Sequence, residues 1–136
     1  MEKVKAKKLL KRGVWMIYEN EYITIESEPS EVLWLKIFAK QKCKEMSECN
    51  EKTKEAIYKA LEIIEKEMID YFKPDKINIA SFGNYVPQVH WHIQARFEND
   101  SFFPEPLWGK KQREGNVQLP STAEFVKRVR AKLDAI

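Results

Sequence analysis

The stretch Gly83-Asn84-Tyr85-Val86-Pro87-Gln88-Val89-His90-Trp91-His92-Ile93-Gln94 contains both histidines of the chain, one residue apart. Because strand residues point alternately to the two faces of a sheet, a strand over residues 88–94 places four polar side chains on one face. These side chains are Gln88, His90, His92 and Gln94. The opposite face carries Val89, Trp91 and Ile93, which can anchor the strand against a core. The pattern therefore predicts a strand with one apolar face and one face of imidazoles and carboxamides, which can form hydrogen bonds, bind metal or attack phosphorus.

The sequence upstream predicts the rest of an antiparallel sheet. Lys76–Phe82 alternates apolar with polar residues, and Gly83-Asn84 predicts a hairpin turn that joins this strand to the histidine strand. Three earlier runs rich in β-branched and aromatic residues also predict strands: Val14–Tyr18, Tyr22–Glu26 and Leu33–Ala39. The sheet is thus expected to have about five strands.

Two helices are predicted beside the sheet. Apolar residues recur at three- and four-residue steps from Asn50 to Lys73, with Asn50 as N-cap, and Pro74 disfavours helical geometry at Lys73. Ser121-Thr122-Ala123-Glu124 matches a capping box and predicts a C-terminal helix over residues 121–135. The sequence therefore predicts an α+β fold.

The remaining segments are predicted to be irregular. Residues 98–119 form a loop rich in proline and aromatic residues, in which Trp108 either covers a ligand or makes a core or dimer contact. Residues 1–13 are predicted to be a basic arm, either frayed and solvated or an electrostatic attraction for phosphorylated substrates.

Length and composition limit the possible functions. A chain of 136 residues fits a single domain over residues 1–136, and a net charge of +3 is too small to imply nucleic-acid binding. No apolar run approaches the roughly 18 residues of a membrane span. Cys43 and Cys49 lack CxxC spacing, which argues against a disulfide scaffold and against a four-ligand zinc site. We therefore expect a cytoplasmic protein that binds neither nucleic acid nor a membrane.

Two histidines on one strand face leave three interpretations open. A neutral imidazole attacks phosphorus when its other ring nitrogen keeps a hydrogen-bonded proton, while the second histidine protonates the leaving group and Gln88 and Gln94 orient the phosphate oxygens. Alternatively the two rings bind a metal ion, although no third ligand is evident. In the third interpretation both are ordinary strand residues at a sheet surface.

The segment Val86–Ile93 closely resembles the motif of histidine triad (HIT) proteins, in which His-X-His-X-His lies on a strand after a glycine-containing turn. The flanking segments Ile77–Ala80, Ala95–Phe97 and Phe103–Gly109 resemble a bacterial branch described as diadenosine tetraphosphate hydrolase-like. The resemblance covers approximately Val14 to Gly115. It implies a HIT-like fold with an antiparallel meander sheet, often a homodimer, that binds a purine nucleotide and cleaves it at the α-phosphorus through a covalent nucleotidyl-histidine.

The resemblance also implies residue roles. His90 occupies the middle triad position, which is the nucleophile, and His92 occupies the third, which supports the phosphate. Gln88 stands at the first position, as in that bacterial branch. Asn84 and Ser81 replace the polar groups of a longer glycine-rich loop. No resident metal or cofactor is implied, although a divalent ion such as Mg²⁺ can accompany the substrate. The alternative function is a non-catalytic nucleotide-binding module that regulates a partner.

Overall fold

The computed structural model describes residues 8–11 and 13–136, with side chains from residue 13 onward. Its secondary structure consists of six strands and two α-helices within these residues. The strands are β1 (Lys8–Lys11), β2 (Val14–Glu19), β3 (Ile23–Ser27), β4 (Trp34–Ala39), β5 (Lys76–Ala80) and β6 (His90–Arg96). The helices are α1 (Glu51–Phe72) and α2 (Thr122–Asp134), and a short 3-10 helix spans Met46–Glu48.

The strands form one antiparallel sheet in the order β1-β2-β3-β4-β6-β5. Helix α1 packs across one face, where fully buried aliphatic side chains of the sheet meet those of the helix. These side chains include Ile25, Leu35, Ile37 and Ile93 of the sheet and Ile57, Ile64 and Met68 of the helix. The predicted α+β fold, a meander sheet with one long helix and a C-terminal helix, is confirmed.

Both helix starts have a side-chain N-cap at the predicted residue, and the Glu124 side chain of the predicted capping box pairs with Arg128. The Asn50 side chain accepts a hydrogen bond from the Thr53 backbone N–H at 2.8 Å. The Ser121 side chain accepts one from the Glu124 backbone N–H at 3.2 Å. Helix α1 ends at Lys73 in the left-handed conformation (φ 51°), immediately before Pro74. Local sequence therefore fixes these helix boundaries.

The prediction of a frayed arm over residues 1–13 is wrong for Lys8–Lys11. These residues form β1 and pair with β2, with Lys8 opposite Met16, which adds a sixth strand to the sheet. The pairing is available because β2 would otherwise expose an unpaired edge, a feature that local sequence does not reveal. The rest of the predicted arm before Gly13 lies outside the described residues.

The predicted hairpin between the fourth strand and the histidine strand is correct in its pairing and wrong in its bounds. Strand β5 pairs with β6, with Asn78 opposite Gln94. However, β5 ends at Ala80 and β6 begins at His90, so the connection is a nine-residue loop with a left-handed Gly83 (φ 72°). Gln88 consequently lies in this loop and not in the strand.

A buried ion pair organises the loop predicted as irregular over residues 98–119. The Arg96 guanidinium donates to both carboxylate oxygens of Asp100, at 2.8 and 3.0 Å, and also to the Asn78 side chain and the Glu105 carbonyl. Asp100 also accepts from the backbone N–H groups of residues 97, 102 and 103. One ion pair thus holds together the segment that leads to Trp108.

The expectation that the cysteines do not form a disulfide is wrong. Cys43 and Cys49 are joined in the structure, with Cα atoms 5.8 Å apart and both side chains buried. The 3-10 helix between them folds the chain back over six positions, which brings together two residues whose spacing matches no short motif.

In the described part of the chain, no helix is long and apolar enough to cross a membrane.

Candidate active site

The two histidines line a cavity of about 370 Å³ on the sheet face opposite α1. Its other lining residues come from the β5–β6 loop and from the ordered loop after β6: Phe82, Gly83, Asn84, Tyr85, Val86 and Trp108. Trp91 points to the other face, where its indole N–H contacts the Met46 sulfur and its ring contacts Tyr58 of α1. The faces of the histidine strand are therefore as predicted.

A backbone carbonyl orients the His90 ring. His90 Nδ1 lies 2.7 Å from the Gln88 carbonyl oxygen, which only accepts hydrogen bonds, so Nδ1 carries the proton. Nε2 is then the nitrogen with the free lone pair. The Phe38 ring, opposite on β4, stacks on the imidazole with centroids 4.7 Å apart and an interplanar angle of 18°. The ring is held on one side by stacking and at Nδ1 by a hydrogen bond.

His92 has the opposite tautomer to His90. The Trp34 indole N–H donates to His92 Nδ1 at 3.0 Å, so Nδ1 is the acceptor and the neutral ring carries its proton on Nε2. Burial lowers the pKa of His92 to about 4, and the charges of His90 and Lys36 act in the same direction. His92 is consequently neutral near pH 7 and is a hydrogen-bond donor through Nε2.

The two rings have complementary chemistry. Their centroids are 5.1 Å apart at an interplanar angle of 71°. His90 offers a lone pair at Nε2, and His92 offers an N–H donor. A nucleophile beside a neutral donor suits attack on an electrophilic centre that carries negatively charged oxygens.

Only one of the four other predicted site residues lines the cavity with the histidines. Asn84 lines the cavity. The Ser81 hydroxyl donates to the His90 carbonyl at 2.7 Å, so it supports the strand backbone. The Gln88 side chain donates to the carbonyls of Ala39 and Gln41, at 2.8 and 2.7 Å, and it is the main chain of Gln88 that contacts His90. Gln94 is buried, and neither polar atom of its side chain has a protein hydrogen-bond partner among the described residues.

Aromatic residues that the sequence did not assign to the site surround His92. The Trp108 ring contacts three other rings, each nearly perpendicular to it. The centroid distances from Trp108 are 4.8 Å to His92, 4.8 Å to Phe82 and 5.4 Å to Trp34. Trp108 thus covers the site, which was one of its two predicted roles. Trp34 and Phe38 come from β4, more than 50 positions before the histidines, and only the strand pairing brings them there.

The metal interpretation gains no third ligand. Within the described ranges, no three His, Cys, Asp or Glu side chains converge to hold an ion. The His92 Nδ1 atom is already engaged by Trp34. The donor set around the two imidazoles is therefore poorly suited to a structural or catalytic metal ion.

We expect the His92 ring to stay neutral down to about pH 5, with its proton on Nε2. Because an unfolded histidine titrates near 6.5, the unfolded state takes up a proton first, and His92 makes the fold less stable as the pH falls from 6.5 towards 4. A long-range ¹H–¹⁵N NMR titration checks both the tautomer and the pKa. Titration of His92 near 6.5 would contradict the assignment.

Comparisons with known proteins identify a matching family model and solved structures of similar fold. The HIT domain family model matches residues 15–99. A histidine triad protein of Bradyrhizobium japonicum is 25% identical and superposes with a TM-score of 0.72, covering 94% of this chain and 98% of that one. A histidine triad protein of Marinobacter aquaeolei is 20% identical with a TM-score of 0.72, covering 96% and 98%. A Sulfolobus tokodaii protein, named a hypothetical histidine triad nucleotide-binding protein, is 19% identical with a TM-score of 0.53, covering 88% and 83%. No curated protein sequence matches the chain.

Proposed function

Because the chain belongs to the histidine triad (HIT) family, we propose that it cleaves at the α-phosphorus of dinucleoside polyphosphates or nucleoside phosphoramidates. The reaction proceeds through a nucleotidyl group covalently bound to His90. The observation that carries this proposal is the hydrogen bond between His90 Nδ1 and the Gln88 carbonyl, because it leaves Nε2 as the nucleophilic nitrogen of a cavity-lining ring.

The first step forms a bond between His90 Nε2 and phosphorus. The bond from phosphorus to the leaving phosphate or amine breaks, and the leaving group departs with the electron pair and takes up a proton from solvent. The His90 ring becomes imidazolium-like, and the Gln88 carbonyl stabilises the proton that stays on Nδ1. His92 Nε2–H donates to a phosphoryl oxygen, whose negative charge increases in the transition state.

The second step releases the nucleotide. Water attacks phosphorus on the face opposite His90, the phosphorus–nitrogen bond breaks, and its electron pair returns to Nε2. The water proton passes to solvent, and His90 regains the starting tautomer because Nδ1 never lost its proton. No resident metal enters this sequence, although a divalent ion such as Mg²⁺ can arrive with the substrate.

A non-catalytic nucleotide-binding module is the second candidate. It is favoured by the fact that the Ser81 and Gln88 side chains, both predicted to face the phosphate, are instead bonded to backbone carbonyls. The purine preference, the homodimer, the bacterial diadenosine tetraphosphate hydrolase-like branch and the cytoplasmic location remain predictions.

A single-turnover assay with enzyme in excess separates the two candidates. Adenosine and guanosine polyphosphates and phosphoramidates are each incubated with the protein, and nucleotide release is followed beside an equilibrium titration. We expect a single-turnover product from at least one compound. Saturable binding of the same compounds without any product would select the module and reject the hydrolase.

A further inference from the structure

The cavity beside the histidines is lined mainly by uncharged side chains among the residues that the structure describes. Of the described residues that line it, none is Lys or Arg, and His92 is held neutral. A polyphosphate carries several negative charges, and sites for such groups ordinarily include a cation. Within the described part of the chain, a cationic partner for this charge therefore has to come from outside the cavity lining.

Lys36 is a cation on the same sheet face as the histidines. It lies on β4 directly opposite His92 of β6, between Trp34 and Phe38, whose rings contact His92 and His90. Its ammonium group is 5.4 Å from the centroid of the Phe38 ring, which in turn stacks on the His90 ring at 4.7 Å. These two contacts place the ammonium no more than about 10 Å from the His90 ring.

Two carboxylates hold Lys36 in the free protein. The ammonium is 2.5 Å from Glu28 and 3.7 Å from Glu26, and its side chain is 15% exposed. Partly buried ion pairs contribute little net stability, because desolvation of the charges offsets their attraction. An apolar residue between two aromatic neighbours would pack there without the free-energy cost of desolvating a charge. The stability of the fold alone therefore does not explain a lysine in the middle of this face.

We propose that Lys36 is a substrate-contacting residue that exchanges its bond to Glu28 for a bond to a phosphate oxygen of the substrate. This inference rests on the proposed function and deepens it, because it assigns the site to substrates with several anionic phosphates, such as dinucleoside polyphosphates. Lysine has a flexible four-carbon stem and three donors, so its ammonium can follow a phosphate that moves between the bound and transition states.

The test compares Lys36→Met with Lys40→Met. Lys40, just after β4, makes a more exposed ion pair with Glu19 at 2.5 Å and lies beyond the β4 residues that pair with the histidine strand. We expect Lys36→Met to lower kcat/KM for diadenosine tetraphosphate by about 10- to 100-fold and for adenosine 5′-phosphoramidate by less than about 3-fold. Lys40→Met should match the wild type with both compounds.

Glu28→Gln distinguishes substrate contact from a structural ion pair. If Lys36 binds phosphate, removing the competing carboxylate leaves kcat/KM for the tetraphosphate unchanged or raises it. If the Glu28–Lys36 pair only shapes the sheet face, Glu28→Gln and Lys36→Met lower kcat/KM together and equally for both compounds, which would overturn the inference. Thermal unfolding of each variant shows that the comparison is made on folded protein.

The outcomes also separate this inference from the proposed function. If the wild type turns over substrate and Lys36→Met does not lower kcat/KM selectively for the tetraphosphate, the proposed hydrolase function is supported and the role of Lys36 is rejected. If the wild type turns over neither compound, the proposed function fails, and binding of diadenosine tetraphosphate then decides the role of Lys36. Weaker binding to Lys36→Met than to Lys40→Met supports the contact, and equal dissociation constants overturn it.

Discussion

Replacing His90 with Asn is expected to lower single-turnover cleavage by at least about 10⁴-fold while nucleotide binding stays measurable. Asparagine is smaller than histidine, but its side-chain nitrogen takes the place of Nδ1 and can still donate to the Gln88 carbonyl, so this hydrogen bond is preserved. Its amide has no nucleophilic lone pair to attack phosphorus. The loss therefore falls on the chemical step, which rapid-quench measurements under saturating enzyme resolve.

The matched control for this prediction is His92→Asn. In the proposed mechanism His92 donates a hydrogen bond to the phosphoryl group, so its loss should cost about 10²- to 10³-fold, as for other single transition-state donors. Mass spectrometry of alkaline-quenched wild type should show a nucleotidyl adduct on His90 that is absent from His90→Asn. Equal rates for the wild type and His90→Asn would refute covalent catalysis at this residue.

The sequence allowed prediction of the elements whose determinants are local. The apolar repeat and caps of the long helix, the alternation in the β5 segment and the two faces around His90 and His92 all depend on neighbours within a few positions. The structure confirms them, with helix α1 at Glu51–Phe72. The histidine face was predictable because a strand has a side-chain period of two, whatever it pairs with.

The tautomers of the site could not be predicted, because their determinants are not local. Trp34 donates to His92 across 58 positions, and this contact exists only because β4 and β6 are neighbours in a particular register. The sequence assigned a role to the Gln88 side chain, whereas the backbone carbonyl of Gln88 orients His90. Any residue at position 88 has that carbonyl, so the residue type does not reveal its role.

The largest effect on stability is expected from Arg96→Met. Arg96 and Asp100 are 1% and 0% exposed, and the substitution leaves the Asp100 carboxylate buried without its cation. Breaking one partner of a buried ion pair typically costs about 3–5 kcal/mol of unfolding free energy. Chemical denaturation at neutral pH measures the loss. We also expect the tryptophan fluorescence of the folded protein to change, because Arg96 holds the Glu105 carbonyl of the loop that carries Trp108.

The pH dependence of this loss identifies its cause. Burial alone raises the pKa of Asp100, but hydrogen bonds from Arg96 and from three backbone N–H groups outweigh it and lower the pKa from 3.8 to about 2. A carboxyl with a lowered folded-state pKa contributes stability above pH 3.8, on the order of 2 kcal/mol, and this contribution is lost as the pH falls towards 2. The difference in unfolding free energy between wild type and Arg96→Met should therefore be smaller near pH 3 than at neutral pH.

The double variant Arg96→Met/Asp100→Asn should lose less unfolding free energy than the sum of the losses in the two single variants, because the unpaired charge is gone. A difference independent of pH, or additive losses, would show that packing of the Arg96 side chain, and not the charge of Asp100, is what the substitution removes.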